Sequence, residues 1–471
     1  VHARTGYLIC IYLRIVIMTL PHPRDCDRWA TAWDWWQELV NFERRSAQCE
    51  DLKLQRMKEI LETLGNPQAG IKCLHVAGTK GKGSACAFLD SILRATNQTV
   101  GLFTSPHLES ITERFVVNGS PISTEILADC IMAVRDATNR SPGEPPTFFE
   151  VATAAGFLHF HHSNVDWIVL ETGLGGRLDS TNICAPTVCA ITSISLDHIK
   201  QLGDTVEQIA FEKAGIIKPG VPVVSGVREA GPANVIKMQA EKTGAPLWEI
   251  DRDIVISNVA PASEGYKRGL WSFDLKTPIA TRHHLVAGLP GRHQVDNAAL
   301  AVAMLDSTDQ PPDTQSIQQG LLNVVWPGRI ETISHTPWVI LDTAHNVASV
   351  HALIETISQQ PLTGRRHLIF AASQDKDISG MLALLAGKFD TIHLTRYSGG
   401  TRSSTIDALV SALPTPCPAT IILEENPIRC LEKLTSNASP TDLICITGSV
   451  FLAGDLRPWL LGHQDAGQFS S

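Results

Sequence analysis

The segment HVAGTKGKGSACAF, His75–Phe88, sets Gly78, Gly81 and Gly83 around Lys80 and Lys82, ahead of Ser84. A mostly apolar run, Ile71–Ala77, leads into it, and a helix-like pattern follows from near Ser84. Glycines let successive backbone N–H groups converge, and a helix beginning at about Lys82 adds its positive end, which together make an anion site suited to phosphates. Lys82 would reach such phosphates as a compact point charge. The strict phosphate-loop pattern puts lysine directly before Ser or Thr, whereas here Gly83 intervenes. A plain strand-to-helix turn with a solvated lysine accounts for the same letters. The flanking strand and helix tilt the reading towards phosphate without settling it.

Other polar groups fall where strands should end. Glu171 closes the run DWIVLE ahead of TGLGGRLDSTN, Asp197 and His198 follow TVCAITSI, and Ser105 and His107 follow GLFT. Ligands of open parallel sheets collect beyond the carboxyl ends of the strands, so these groups should share a rim with the glycine loop. An oxygen-rich set with one histidine suits Mg²⁺, which neutralises phosphate charge. Taken singly, each residue reads as an ordinary cap or turn, and only their agreement on one rim carries weight. In VEQIAFEKAGI, Lys213 falls on the apolar stripe of Val206, Ile209 and Ala210. A snorkelling stem is the usual explanation of such a lysine. An inward lysine would instead be desolvated towards its neutral amine, which can add CO₂ to give an anionic carbamate ligand. HFHHS, His159–Ser163, reads as the solvated end of an apolar helix, where positive charge is favoured. His283 and His284 carry no signal. Phe148 and Phe149 read as core, and Glu150 as an acid in an apolar setting at a helix start.

These groups need a scaffold to hold them. Apolar runs at Thr99–Phe103, Asp166–Glu171, Thr187–Ile194 and Val221–Ser225 alternate with helical patterns, which predicts a parallel sheet covered on both faces. A tryptophan-rich helical segment, Arg28–Leu64, precedes the glycine loop. Asp251–Pro290 reads as a small antiparallel excursion. Alternation then resumes at Trp338–Leu341, His367–Ala371, Thr391–Leu394, Thr420–Leu423 and Leu443–Thr447. WPGRIE, Trp326–Glu331, has the Pro-Gly punctuation of a domain junction, and AGQFSS at the end reads as frayed.

A chain of 471 residues calls for more than one domain, and 44% hydrophobic with 18% charged residues is ordinary globular composition. A net charge of −9 argues against a nucleic-acid binder. Eleven cysteines without a C-x-x-C pair fit free thiols in a reducing cytoplasm. YLICIYLRIVIMTL, Tyr7–Leu20, is interrupted by Arg14 and too short to span a bilayer, so no membrane association is expected. It reads as a spurious extension, with a signal peptide as the alternative.

HVAGTKGKGS, LFTSPHL, PTFFE, ETGLGGRLDSTN, ITSISLDHIKQLGDTVEQIAFEKAGIIKPG, RHQVDNAALA, WPGRIE and LDTAHN occur in this order. Together they resemble the folylpolyglutamate synthase/dihydrofolate synthase family of the Mur ligase superfamily, over roughly Asp51–Leu456. The resemblance implies an α/β fold: residues 21–326 as a phosphate-loop, ATP-binding central domain with a mostly parallel sheet, and 327–471 as a smaller Rossmann-like domain. Residues 1–20 stand outside it. It also implies an ATP-dependent amide ligase adding L-glutamate to a folate, or to dihydropteroate, acting as a cytoplasmic monomer. The extra glycine, Gly83, is characteristic of this family's loop.

Position by position, the resemblance makes Gly78, Gly81, Lys82, Gly83 and Ser84 the triphosphate cradle. Ser84, Ser105, Glu171 and His198 would form the shell of two Mg²⁺ sites, supported by a carbamylated Lys213. Asn297, Arg329, Asp342 and His345 would contact ATP. Asp51, Thr147, Phe148, Phe149, Glu150, Leu178, Asp179 and Ser180 would line the pterin side. Three positions depart from the family pattern: Lys80 stands where Asn is usual, Ser180 replaces Ala, and Lys53 replaces Gly in EDLKLQR. The last weakens the expectation of dihydropteroate binding. A cell-wall amino-acid ligase would need an added N-terminal nucleotide-sugar domain, and only about 70 residues precede the loop. A nucleotide switch would need a base-reading N-K-x-D, which is absent.

Overall fold

The computed structural model describes residues 23–41, 54–140, 144–263, 268–398 and 402–465. The expectations for residues 1–20, for Asp51 and Lys53, and for the last six residues lie outside the described residues. Strands β1 (Lys72–Ala77), β2 (Val100–Phe103), β3 (Phe115–Val117), β4 (Ser120–Pro121), β5 (Trp167–Glu171), β6 (Val188–Ile191), β7 (Val223–Ser225) and β8 (Leu247–Glu249) form one sheet. Its order is β4-β3-β2-β5-β1-β6-β7-β8. It is parallel from β2 to β8, and only β3 and β4 run antiparallel. β2, β5 and β6 are buried along their whole length, which is why they read as unbroken apolar runs.

The antiparallel excursion is a three-stranded sheet of β9 (Val255–Pro261), β10 (Trp271–Lys276) and β11 (Thr281–Ala287). A buried ion pair ties it to the body: Arg282 on β11 donates 2.7 Å bonds to both oxygens of Asp306, which ends helix His293–Asp306. The Thr277 hydroxyl adds a 2.6 Å bond to the same carboxylate.

The later strands are β12 (Glu331–His335), β13 (Trp338–Leu341), β14 (Arg366–Phe370), β15 (Thr391–Leu394), β16 (Thr420–Leu423) and β17 (Leu443–Thr447). They make a second sheet in the order β12-β13-β17-β14-β15-β16, parallel except at β12. The chain thus passes from the first sheet system to the second through WPGRIE. Arg457, on the last helix, spans the two: it bonds Glu331 and reaches Glu109 after β2 at 2.6 Å.

The described residues of the segment Arg28–Leu64 are helical in Pro23–Glu38 and Leu54–Thr63, with Leu39–Asn41 outside the first helix. One expectation needs correcting. In HFHHS only His161 and His162 are solvated, while His159 is buried on the inward face of helix Phe148–His162 against Phe160.

Helix Lys82–Ala95 is the element that fixes the glycine loop. Every residue from Gly83 to Leu93 is buried, and the helix is held between helices His293–Asp306 and Thr314–Leu322. Gly320 allows that approach, since a Cβ there would overlap the Ile92 backbone. The Ser91 hydroxyl closes the contact on the Gly320 carbonyl at 2.7 Å. Removing one partner of the Arg282–Asp306 pair strands a buried charge. Asp306→Ala is therefore expected to lower unfolding free energy by about 3–5 kcal/mol, measured by urea denaturation.

Candidate active site

The four central strands β2, β5, β1 and β6 end side by side, so their carboxyl ends place Ser105, Glu171, the glycine loop and the Asp197–His198 segment on one rim. The loop follows β1 directly. Gly81 caps the helix with φ 85°, a left-handed conformation that favours glycine. Each loop glycine also faces a wall. A Cβ at Gly78 would strike the Thr192 hydroxyl, and one at Gly81 the Asn297 amide oxygen. One at Gly83 would lie 2.9 Å from the Trp326 ring. The glycine between Lys82 and Ser84 thus has a physical reason: the indole of the interlobe connection packs onto the first turn of the helix. The loop is locked from behind by the segment after β6. The Lys80 amide donates to Ser193 Oγ at 2.9 Å, and the Thr192 hydroxyl donates to the Lys80 carbonyl at 2.6 Å.

Two lysines meet at one backbone oxygen. Lys82 Nζ donates to the Gly78 carbonyl at 3.1 Å, and Lys213 Nζ donates to the same carbonyl at 2.9 Å. Lys213 is only 5% exposed, so it points inwards from helix Val206–Ala214 and does not snorkel. Burial and the charge of Lys82 lower its pKa to about 7, against the partial support of Asp197 and Asp179. Folding strips its proton between pH 7 and the ordinary 10.5. Its cost to stability is therefore fully present below pH 7 and relieved as pH rises.

Glu171 is buried at the end of β5, with one oxygen 3.9 Å from Lys82 Nζ and the other accepting the Ser105 amide at 3.2 Å. Burial raises its pKa, and Lys82, the Ser105 amide, Arg329 and Arg114 oppose the rise. His198 caps a short helix in left-handed geometry, φ 51°, with 58% of its side chain open. Desolvation by its surroundings lowers its pKa, joined by Lys213 and Lys82 and opposed by Asp197. Lys80 pairs with Asp197 at 3.2 Å, and Asp197 accepts the His198 amide at 3.0 Å. Ser84 is buried in the first turn of its helix.

The second lobe contributes Arg329, whose guanidinium donates to the Thr343 hydroxyl at 2.6 Å and lies within electrostatic reach of Glu171. Asp342 ends β13 with both carboxylate oxygens engaged, one by the Ile330 amide at 2.9 Å and the other by the Ala344 amide at 2.8 Å. Here it acts as a clasp between the connection and the second sheet. His345 is anchored through Nδ1 to the Thr343 carbonyl at 2.9 Å, and burial brings its pKa to about 4. Asn297 lies against Gly81 and donates to Gln294.

The residues assigned to the pterin side divide in two. Thr147 and Glu150 form a capping box, with Glu150 also paired to Arg56 at 2.7 Å, so the acid is not isolated in an apolar setting. Phe148 stacks on Trp36 at 4.4 Å. Phe149, half-buried, packs on Gly173. Asp179 accepts the Leu174 and Thr181 amides and fixes the loop after β5, which leaves Leu178 and Ser180 half-exposed on it. Two contributors escaped the sequence reading. Arg114, fully buried, donates to His107 Nδ1 at 3.0 Å and adds positive charge towards Glu171. Trp326 was visible only as part of a junction motif.

No three His, Cys, Asp or Glu side chains among the described residues form a cluster able to hold a metal. The residues still fit a divalent cation whose remaining ligands are phosphate oxygens. Glu171, Ser84 and Ser105 offer oxygen donors, and Lys213 is a buried amine whose pKa is lowered to about 7, so its neutral form is well populated at neutral pH. No helix among the described residues is long and apolar enough to cross a membrane.

Two α/β sheet systems joined through WPGRIE, with the glycine loop in the first, have the fold of a Mur ligase. The sequence matches the Mur ligase middle domain over residues 76–305 and the Mur ligase glutamate ligase domain over 328–450. The chain belongs to the folylpolyglutamate synthase/dihydrofolate synthase family. It is 36% identical over 414 residues to the dihydrofolate synthase/folylpolyglutamate synthase of Bacillus subtilis, covering 86% of this chain and 94% of that one. It is 35% identical to the folylpolyglutamate synthase of Lacticaseibacillus casei, covering 87% and 94%. Among solved structures it resembles the folylpolyglutamate synthase of Thermotoga maritima, with a TM-score of 0.81, 30% identity and coverage of 92% and 97%. Escherichia coli FolC in complex with DHPP and ADP gives a TM-score of 0.80 at 28% identity, covering 92% and 98%.

Lys82→Ala removes the cation beside Glu171 and relieves its repulsion of Lys213. It should retain the wild-type circular dichroism while losing ATP turnover by about 100-fold or more. Unchanged turnover would contradict the role given to Lys82.

Proposed function

We propose that this chain is an ATP- and Mg²⁺-dependent ligase that joins L-glutamate to a folate, or to dihydropteroate, through an acyl phosphate. The observation that carries this reading is the meeting of Lys82 and Lys213 at the Gly78 carbonyl beside buried Glu171, in a chain of this family. Lys82, with Arg329 and Arg114 acting on the same carboxylate, directs positive charge at the place where phosphates would lie.

The chemistry follows from what a carboxylate lacks. Its leaving group would be oxide, so it must first be activated. The substrate carboxylate attacks the γ-phosphorus of ATP, giving an acyl phosphate and ADP. The amine of glutamate then attacks the acyl carbon, and phosphate leaves. No enzyme nucleophile is needed, and the chain's task is positioning and charge neutralisation. Lys82 and the loop amides hold the triphosphate. Arg329 brings a second cation from the other lobe towards the transferring group. Ser84, Ser105, Glu171, His198 and a carbamylated Lys213 would hold Mg²⁺, which supplies further positive charge at the phosphates.

Asn297, Asp342 and His345 would border the nucleotide, and Phe149, Leu178 and Ser180 the pterin. The side chains of Phe148, Glu150 and Asp179 act from behind by fixing those loops. Residues 21–326 and 327–471 would work as two lobes whose apposition excludes water from the acyl phosphate. Action as a cytoplasmic monomer belongs to the same reading, and the free cysteines among the described residues suit a reducing compartment.

Purified protein with ATP, Mg²⁺ and labelled glutamate should form a glutamylated product with tetrahydrofolate, dihydropteroate or both, together with stoichiometric ADP. Comparing the two acceptors separates the synthase activities, and product from neither would overturn the proposal. Lys213→Ala should lose activity by about 100-fold or more. A short carboxylic acid added to the assay should partly restore it by replacing the carbamate; a fully active variant would rule that group out.

A further inference from the structure

At the opposite end of β1 from the glycine loop, Cys184 lines a cavity of about 480 Å³, and Cys73 on β1 is its neighbour. Cys73, next to the start of β1, is fixed by Thr187, whose amide donates to its carbonyl at 2.7 Å and whose hydroxyl accepts its amide at 3.4 Å. This brings the following strand's approach, with Cys184 three residues earlier, alongside Cys73. Cys73 and Cys184 lie close enough for each to act on the other's ionisation. On its other side Cys184 lies 3.5 Å from His75 Nδ1. Lys218, which lines the cavity with Cys184, donates to the Asn182 carbonyl at 3.0 Å.

These surroundings set Cys184 apart from the other described thiols. Burial pushes Cys130, Cys189 and Cys430 up to about 12 and raises Cys86 and Cys445 well above the ordinary value. Cys184 is shifted the other way, by Cys73 first and then, against its burial, by His75 and Lys218. A buried thiol shifted towards its anion, 3.5 Å from His75 and bordering a cavity with Lys218, with a second thiol close by, has what a reactive cysteine needs.

We propose that Cys184 is a modification site for hydrogen peroxide, with Cys73 as the thiol that resolves it into an intramolecular disulfide. The Cys184 thiolate attacks the peroxide oxygen; the O–O bond breaks, hydroxide leaves and takes up a proton, and Cys184 becomes a sulfenic acid. The Cys73 sulfur then attacks the Cys184 sulfur, the S–O bond breaks, and water departs with the Cys73 proton. Two thiols are oxidised to one disulfide and one peroxide is reduced to two waters.

The pair also touches the ligase site. His75 Nε2 lies 2.8 Å from Thr181 Oγ1, and Thr181 bonds the Asp179 carboxylate that fixes the loop after β5. Oxidation removes the anion facing His75, so the loop on the pterin side should loosen; this consequence rests on the ligase reading, whereas the sulfur chemistry does not.

The test is peptide mapping of the full chain after brief treatment with hydrogen peroxide. The expected result is a cross-linked pair of peptides carrying Cys73 and Cys184, dissolved by dithiothreitol. In Cys73→Ser, dimedone should trap a sulfenic acid on Cys184. With iodoacetamide, the untreated protein should label at Cys184 at least ~10-fold faster than at any other described cysteine. A map in which Cys184 stays a free thiol while another described cysteine is oxidised overturns the proposal. So does a Cys184→Ser protein in which Cys73 is oxidised at the wild-type rate.

Discussion

One peptide oxygen, the carbonyl of Gly78, receives both Lys82 and Lys213, and the rest of the site is arranged around that crowding. A carbonyl carries only a partial negative charge, so it can orient two ammonium groups but not neutralise them. Lys213 responds by giving up its proton near neutral pH, and Lys82 leans towards buried Glu171. Arg329 and Arg114 add positive charge towards the same carboxylate. A triphosphate would answer these cations and the converging loop amides, which favours a nucleotide before any specific contact is counted.

The crowding is possible only because the backbone around Gly78 is held rigidly. Thr192 and Ser193 bond the loop from behind, Asn297 closes over Gly81, and Trp326 covers Gly83. The helix that begins there is buried along nearly its whole length, so its position is set by packing on three sides. Trp326 belongs to the connection between lobes, and so does Arg329, whose side chain bonds Thr343 at the end of β13. The glycine loop and the interlobe connection are therefore one packed unit. Arg457, bonded to both Glu331 and Glu109, adds a second tie between the lobes.

Much of this was legible in the chain. Parallel strands buried on both faces betray themselves as unbroken apolar runs, and β13, β15, β16 and β17 have the bounds their sequences suggested. The rim could be drawn because polar groups at strand ends must share it. Lys213 marks the limit of periodicity: a lysine on an apolar stripe can point either way, and only the Gly78 carbonyl and the burial decide that it points inwards. The carboxylates Asp342, Glu150 and Asp179 show another limit. In sequence, an acid that clasps backbone amides is indistinguishable from one that meets a ligand. All three are engaged by amides or by arginine here. Trp326 and Arg114 were hidden for a related reason, since their importance comes from approach across the fold and leaves no local pattern.

The central claim is that the pocket turns an inert carboxylate into a mixed anhydride with phosphate. Supplying a pterin acceptor labelled with ¹⁸O in its reacting carboxylate, and analysing the released phosphate by mass spectrometry, tests this most directly. The account predicts that each turnover transfers one labelled oxygen from the acceptor to phosphate. Phosphate released without label, alongside normal amide product, would contradict it.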